Sequence, residues 1–345
     1  MSRKEDHIEI CQRPNVQANH DYWDDLSFVH NAVPEMDMDE IALRTRLFGK
    51  PLQAPIVIAA MTGGTPKAEV INKNLAAAAA QVGVAMGVGS QRAGLEDPAL
   101  AATYEVVKEF DVPLVFGNVG APQLVARENR IELEHLQRAM EMVDADVMAL
   151  HLNFVQEVAQ PEGDTKAKGV LAKIKQYSSM IPIIAKETGA GISRQTAIEL
   201  KDAGVKGFDV GGMSGTSFSA VEALRAAKVN DKTREQIGNL FKDWGIPTPV
   251  SVLQTDVGLP RIATGGIRHG LDAARALALG ADAAGMAAAF LAPALESKEA
   301  VVRKLEQTIN EVKAVMLLTG AKDLENLRSR QLIATGPLRE WLQEI

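Results

Sequence analysis

Eight times along this chain of 345 residues an apolar run ends abruptly in glycine or a polar cluster. The runs begin at Ile56, Val84, Leu114, Val147, Ile183, Gly207, Ile262 and Ala281. A strand buried on both faces reads as a continuous apolar run, and parallel strands are the ones buried this way. In a barrel of parallel strands the functional groups collect at the carboxyl ends, where each of these runs turns polar. The pattern predicts an α/β fold: a (β/α)8 TIM barrel over residues 55–291, preceded by an N-terminal arm, 1–54, and followed by a C-terminal helical extension, 292–345.

The intervening segments support alternation. Pro66 to Val82 is helical and carries an alanine block suited to close packing. Asp97-Pro98 supplies a cap and a first-turn proline for the next helix. Arg130 to Val143 and Ser193 to Ala203 keep helical spacing, and Gly270 to Leu279 ends at Gly280. Successive strands lie about thirty residues apart, except that about fifty separate the sixth from the seventh. That gap holds a charged insertion ahead of a regular helix from about Thr248 to Asp256. On the carboxyl face such an insertion forms a lid or a pocket wall. The tail reads as one long helix and one or two shorter ones. The arm is polar and irregular, able to cover the barrel floor, meet another subunit or cross the active face.

Composition removes several classes of function. The net charge is −7, with acids and bases interspersed and no basic stripe, so nucleic acid is not an expected partner. Cys11 is the only cysteine, which leaves no disulfide framework and no CxxC metal site. The opening MSRKEDHIEI lacks the apolar core of a signal peptide, and no apolar stretch of about 18 residues spans a membrane. A soluble cytoplasmic protein is the expectation.

The strand ends carry the chemistry. Gly265 and Gly266 follow strand seven, and Met286 and Ala287 close strand eight; small residues there let backbone N–H groups approach a phosphate. Lys186, near the end of strand five, needs an anionic partner in a barrel mouth. An electron-rich flavin ring is one candidate, and a Schiff-base carbonyl is another. His151 and Asn153 are two apart and share a face of strand four. Gln156 and Glu157 follow them, and Glu157 alone can anchor Mg²⁺ only if substrate phosphates supply further oxygens. Ser90, Gln91 and Arg92 add donors and a cation suited to phosphate. Thr62 and Gly63 after strand one, Asn118 on strand three and Thr216 after strand six complete the ring. Arg3, Lys4 and His7 form a basic cluster that would clamp an anion if the arm crosses the mouth.

Read together, RKEDHI at the start, AMTGG, GSQR, GNVG, HLNFVQE, AKETGAG, SGTSF, DWG and ATGGIR resemble the type 2 isopentenyl-diphosphate isomerases, which are FMN-dependent barrels. HLNFVQE with the terminal Arg3-Lys4 is the specific part; the glycine loops would suit any FMN barrel. The resemblance implies interconversion of isopentenyl and dimethylallyl diphosphates in isoprenoid biosynthesis. Reduced FMN would serve as acid and base, with Mg²⁺, NADPH as reductant, and a homo-oligomer of four or eight barrels. It implies FMN contacts from Met61, Thr62, Gly63, Ser90, Asn118, Lys186, Gly211 and Thr216. Gly265, Gly266, Ile267, Arg268, Met286 and Ala287 would surround the FMN phosphate. Substrate contacts would come from Arg3, Lys4, His7, Ser90, Gln91, Arg92, His151, Asn153 and Gln156, and the metal contact from Glu157. Gln156, Lys186 and His151 would be catalytic. Gly211 departs from the family pattern of serine or alanine and would remove one hydroxyl contact to the flavin. The alternatives are an FMN oxidoreductase on the same barrel, a Schiff-base aldolase using Lys186 and a non-enzymatic binder of phosphate ligands. A 2-hydroxy-acid oxidase would be expected to carry a His-Gly-Gly-Arg element after strand six or seven, and none is present.

Overall fold

The computed structural model describes residues 3–128 and 130–344, with the side chain of Arg3 outside the description. All eight apolar runs form strands: Ile56–Ile58, Ala85–Gly87, Val115–Gly120, Val147–His151, Ile183–Lys186, Phe208–Asp209, Arg261–Ala263 and Ala283–Met286. They pair in parallel, each with its sequence neighbour, and the eighth returns to the first to close the barrel.

Alternation along these strands builds the interior in layers. Phe116, Ala149, Ile184 and Ile262 point to the axis and form an apolar lower layer with Val57, Ala85 and Ala283. Two residues further on, the next inward positions are Asn118, His151, Lys186 and Thr264, and all four face the mouth. The outward set, including Ile56, Met86, Met148, Leu150 and Ala185, packs on the surrounding helices. One strand therefore supplies both the core and the site.

The arm takes two of the roles open to it. Thr45–Leu47 and Lys50–Leu52 form a hairpin below the barrel, turning at Phe48 and Gly49, both with positive φ (49° and 80°). Leu47 and Leu52 join the lower apolar layer, and the Phe48 ring meets Phe116 edge-on at 5.8 Å. The opposite end of the arm is the helix Arg3–Ile10, whose Lys4 and His7 reach the mouth. Between them, Leu26–Phe28 pairs antiparallel with Leu332–Ala334 of the tail, a strand that the helical pattern of the tail did not predict.

Helix boundaries follow local chemistry. Pro66–Val82 begins at the capping Thr65, whose side chain accepts from the Ala68 amide, and ends at Gly83 in the left-handed region (φ 76°). The helix expected after Asp97 is instead broken into short turns, Pro98–Leu100, Ala102–Glu105 and Val106–Glu109. The helix expected from Arg130 begins at Leu133, because Glu132 and His135 form a reciprocal cap there. The long gap after strand six holds Phe218–Lys228, Lys232–Leu240 and Thr248–Gln254, and Phe218 lies on the pocket wall. The tail is one long helix, Lys298–Thr319, and two short ones, Leu324–Arg328 and Gly336–Gln343.

Leu52 is 2% exposed and seals the floor. Leu52→Ala is expected to lower stability by about 2–5 kcal/mol, read by denaturant unfolding. The floor is not a sealing element if the loss stays below about half a kcal/mol.

Candidate active site

The carboxyl ends of the strands surround a cavity enclosing about 1310 Å³, open mouth included. Its wall brings together Lys4, His7, Met61, Ser90, Arg92, Asn118, His151, Asn153, Gln156, Glu157, Lys186, Gly211, Thr216, Gly265, Gly266, Ile267, Arg268 and Ala287. These residues span nearly the whole chain, and barrel closure makes them neighbours.

Four expected residues are not on that wall. Thr62 is buried, its carbonyl accepting from the Gly89 amide and its hydroxyl without a partner. Gly63 is packed under Tyr104, where an added Cβ would lie 1.9 Å from the ring. Gln91 is fully buried behind the wall: its amide nitrogen donates to the Ala139 carbonyl at 2.7 Å, and its oxygen accepts from the Asn118 amide at 2.9 Å. It braces the strand that carries Asn118. Met286 packs among the outward residues, as the alternation of its strand requires. The side chain of Arg3 lies outside the described residues, although the residue itself begins the first helix.

The polar layer is wired together. His151 Nδ1 lies 2.8 Å from Asn118 Oδ1, while Asn118 Nδ2 donates to the Val88 carbonyl. The Asn118 oxygen is thus the acceptor, which makes Nδ1 the protonated nitrogen of His151. Lys186 Nζ donates to Asp209 Oδ2 at 2.7 Å, and both side chains are at most 10% exposed. Cross-strand register places His151, Lys186 and Asp209 side by side on three successive strands.

Gly211 has a structural reason to be glycine. Its φ is 45°, and an added Cβ would sit 2.0 Å from the Glu187 carbonyl. Its N–H donates to Thr264 Oγ1 at 3.0 Å, so this amide is used within the protein.

On the far wall, Gln156 donates to Glu222 Oε1 at 2.7 Å, and His7 Nε2 meets the same oxygen at 2.8 Å. Arg225 donates to the other oxygen of Glu222 at 2.5 Å. Burial alone would push the Glu222 carboxyl up, but His7, Arg225 and the Gln156 amide together hold it below the usual range. Glu222 is therefore a fixed carboxylate. The sequence offered a signal that went unused: Glu222 sits among Val221, Ala223 and Ala226 on a buried helical face, where a lone acid needs partners. Asp209, inside an apolar run, was missed for a similar reason.

The donors fit the two groups the sequence pattern implies. Gly215 and Gly266 pack backbone to backbone, an added Cβ on Gly215 lying 2.4 Å from the Gly266 amide, so these two loops can meet at the mouth only as bare backbone. The Thr248 hydroxyl and the Trp23 indole N–H both donate to the Gly265 carbonyl and lock the loop. Arg268 donates to the Gly266 carbonyl and ion-pairs with Asp21 of the arm. For Mg²⁺, the cavity wall offers Glu157, whose Oε1 accepts from Asn153 Nδ2 at 3.1 Å and whose Oε2 accepts from the Asp164 amide at 2.7 Å. No group of three or more His, Cys, Asp or Glu suited to a metal occurs among the described residues. A single carboxylate suits an ion whose remaining ligands are phosphate oxygens and water.

The chain belongs to the FMN-dependent dehydrogenase family, whose model matches residues 11–107 and 119–334. Within that class it is a member of the FMN-dependent, type 2 isopentenyl-diphosphate delta-isomerases. It is 42% identical to the isopentenyl-diphosphate delta-isomerase of Picrophilus torridus over 343 residues, which cover 99% of this chain and 98% of that one. The enzyme of the same name from Thermoplasma volcanium is 45% identical over 342 residues, 99% of each chain. That of Methanothrix thermoacetophila is 46% identical over 347 residues, 100% of this chain and 96% of the relative. Among solved structures, a lactate oxidase of Pediococcus acidilactici superposes with a TM-score of 0.65 at 17% identity, covering 91% of this chain and 84% of that one. A mandelate oxidase mutant carrying a monooxide FMN adduct gives 0.62 at 17% identity, with 96% and 92% covered. At that identity the two oxidases share the fold.

Glu187 lies just past Lys186 with its carboxyl buried, and one oxygen accepts from the amides of Thr188, Gly189 and Ala190. Burial outweighs those donors and raises the carboxyl to about 7. The folded protein then binds a proton that the unfolded chain has released, so stability falls as pH rises from the ordinary carboxylate value of about 4.5 to about 7. That loss amounts to about 3 kcal/mol once pH passes 7. Unfolding free energies at pH 5 and pH 8 are expected to differ by about that much less in Glu187→Gln than in the parent. An identical pH dependence in both proteins would remove this assignment.

Proposed function

We propose that this protein interconverts isopentenyl and dimethylallyl diphosphates, using reduced FMN and Mg²⁺, with NADPH as the reductant. The observation that carries the reading is the composition of one cavity. A buried ammonium and two amide or imidazole side chains face a fixed Gln156–Glu222 pair, under a rim of Lys4 and Arg92. When bound, the reduced flavin supplies acid/base capacity for moving a proton onto and off the alkene.

The chain's own residues hold the reactants. Lys4 and Arg92 neutralise diphosphate at the rim, and Glu157 gives the metal its protein oxygen. That anchoring is largely common to ground state and transition state, so it sets KM more than kcat. Gln156 is tied at both ends, its nitrogen to Glu222 and its oxygen to the Asn153 amide at 3.3 Å. A side chain so fixed can orient a small alkene without rearranging. Lys4 and His7 of the helix Arg3–Ile10, with Phe218, line the mouth of the cavity.

The Schiff-base alternative fits poorly, because that chemistry needs a neutral, desolvated lysine and Lys186 is engaged by a carboxylate at 2.7 Å. No helix among the described residues is long and apolar enough to cross a membrane. We place the enzyme in the cytoplasm as a homo-oligomer of four or eight barrels.

Protein reduced in the presence of FMN and Mg²⁺ is expected to convert isopentenyl diphosphate into its isomer, followed by product analysis. Absence of conversion with bound, reduced flavin would sink the reading. Glu157→Gln should raise the Mg²⁺ concentration needed for half-maximal rate by about 10–100-fold, with FMN retention unchanged. An unshifted Mg²⁺ titration would exclude Glu157 as the metal ligand.

A further inference from the structure

Asp209 stands outside the residues that the sequence pattern assigned, yet it touches the one buried cation of the barrel layer. Its Oδ2 accepts from Lys186 Nζ at 2.7 Å, and its Oδ1 accepts from the Thr264 hydroxyl. That hydroxyl in turn accepts from the Gly211 amide at 3.0 Å. The direction of every proton is therefore set: Gly211 N–H to Thr264, Thr264 O–H to Asp209, Lys186 N–H to Asp209. A further Lys186 N–H donates to the Glu187 carbonyl at 3.4 Å. An ammonium has three donors, so one remains, and Lys186 lines the cavity.

We propose that Asp209 is a positioning residue that holds the Lys186 ammonium turned into the cavity, so that its free donor meets the anionic pyrimidine edge of reduced FMN. The inference rests on the reading that this cavity holds FMN. Its physical basis is the cost of a desolvated charge. An ammonium that is nearly solvent-free needs a fixed counter-charge to stay in place. With Asp209 present, Lys186 brings a full positive charge to the ring. Without it, the ammonium turns toward other acceptors, and the ring loses that field. A chain of aligned hydrogen bonds behind Asp209 removes the freedom to follow the lysine elsewhere.

Two other roles for Asp209 make different predictions. As a simple neutraliser it would weaken the lysine's field, and its removal would make the reduced ring easier to ionise. As scaffold alone it would alter stability and leave the ring unaffected.

The test is the ionisation of N1 in bound, reduced FMN, followed by the absorbance of the photoreduced holoprotein against pH. Asp209→Asn is expected to raise that pKa by about one unit or more, because the anionic ring loses its partner. Lys186→Met should raise it similarly, and the double variant should go no further, since both act through one ammonium. Thr264→Val, a milder change, should give a smaller shift in the same direction, and it keeps the question open to measurement if Asp209→Asn does not retain FMN. An unchanged or lowered pKa in both Asp209→Asn and Thr264→Val, beside a raised pKa in Lys186→Met, overturns the role of Asp209 alone. If Lys186→Met leaves the N1 pKa unmoved, the lysine does not meet the ring and the inference fails while the flavin reading stands; if the parent binds no FMN, the flavin reading fails and the inference with it.

Discussion

Closure of eight parallel strands forces every second side chain toward one axis, and the rest of the molecule follows from that constraint. The lower inward positions have no access to water, so they are apolar: Phe116, Ala149, Ile184 and Ile262. The same strands reach the mouth two residues later with Asn118, His151, Lys186 and Thr264. A single pleat thus joins a packed core to a polar site with nothing flexible between them. The floor needs its own seal, which the arm's hairpin supplies through Leu47, Leu52 and Phe48.

Placing charge at the end of such a barrel demands compensation, and the site shows two answers. Lys186 is matched by Asp209 from the neighbouring strand, at equal height because parallel register leaves no offset between them. Glu222 is matched from three directions, by His7 of the first helix, Gln156 after strand four and Arg225 on its own helix. These pairs fix the polar groups on two sides of the cavity. The arm joins the second wall directly through the His7–Glu222 contact at 2.8 Å.

Much of the site was legible because its residues are out of place for their local context. A lysine ending an apolar strand, a His-x-Asn pair on one strand face and double glycines after late strands each contradict the bland expectation for their position. Where the contradiction was hidden, the reading missed. Asp209 and Glu222 are acids in apolar surroundings, and only their burial shows that each must be paired. Gln91 misled in the opposite direction: next to Ser90 and Arg92 it reads as a rim group, yet its side chain turns back to brace the third strand. Gly211, read as the loss of a contact, is required by its backbone angle and by the Glu187 carbonyl.

Periodicity and punctuation in the sequence were enough for the eight strands, most of the helices, the barrel and the rim where chemistry gathers, since each is set by neighbours a few residues apart. Which polar groups pair, and which turn away, was decided only in three dimensions. Those choices join residues far apart in the chain, such as His7 with Glu222 and Lys186 with Asp209, and the free energy of a buried charge depends on what surrounds it once the chain has closed.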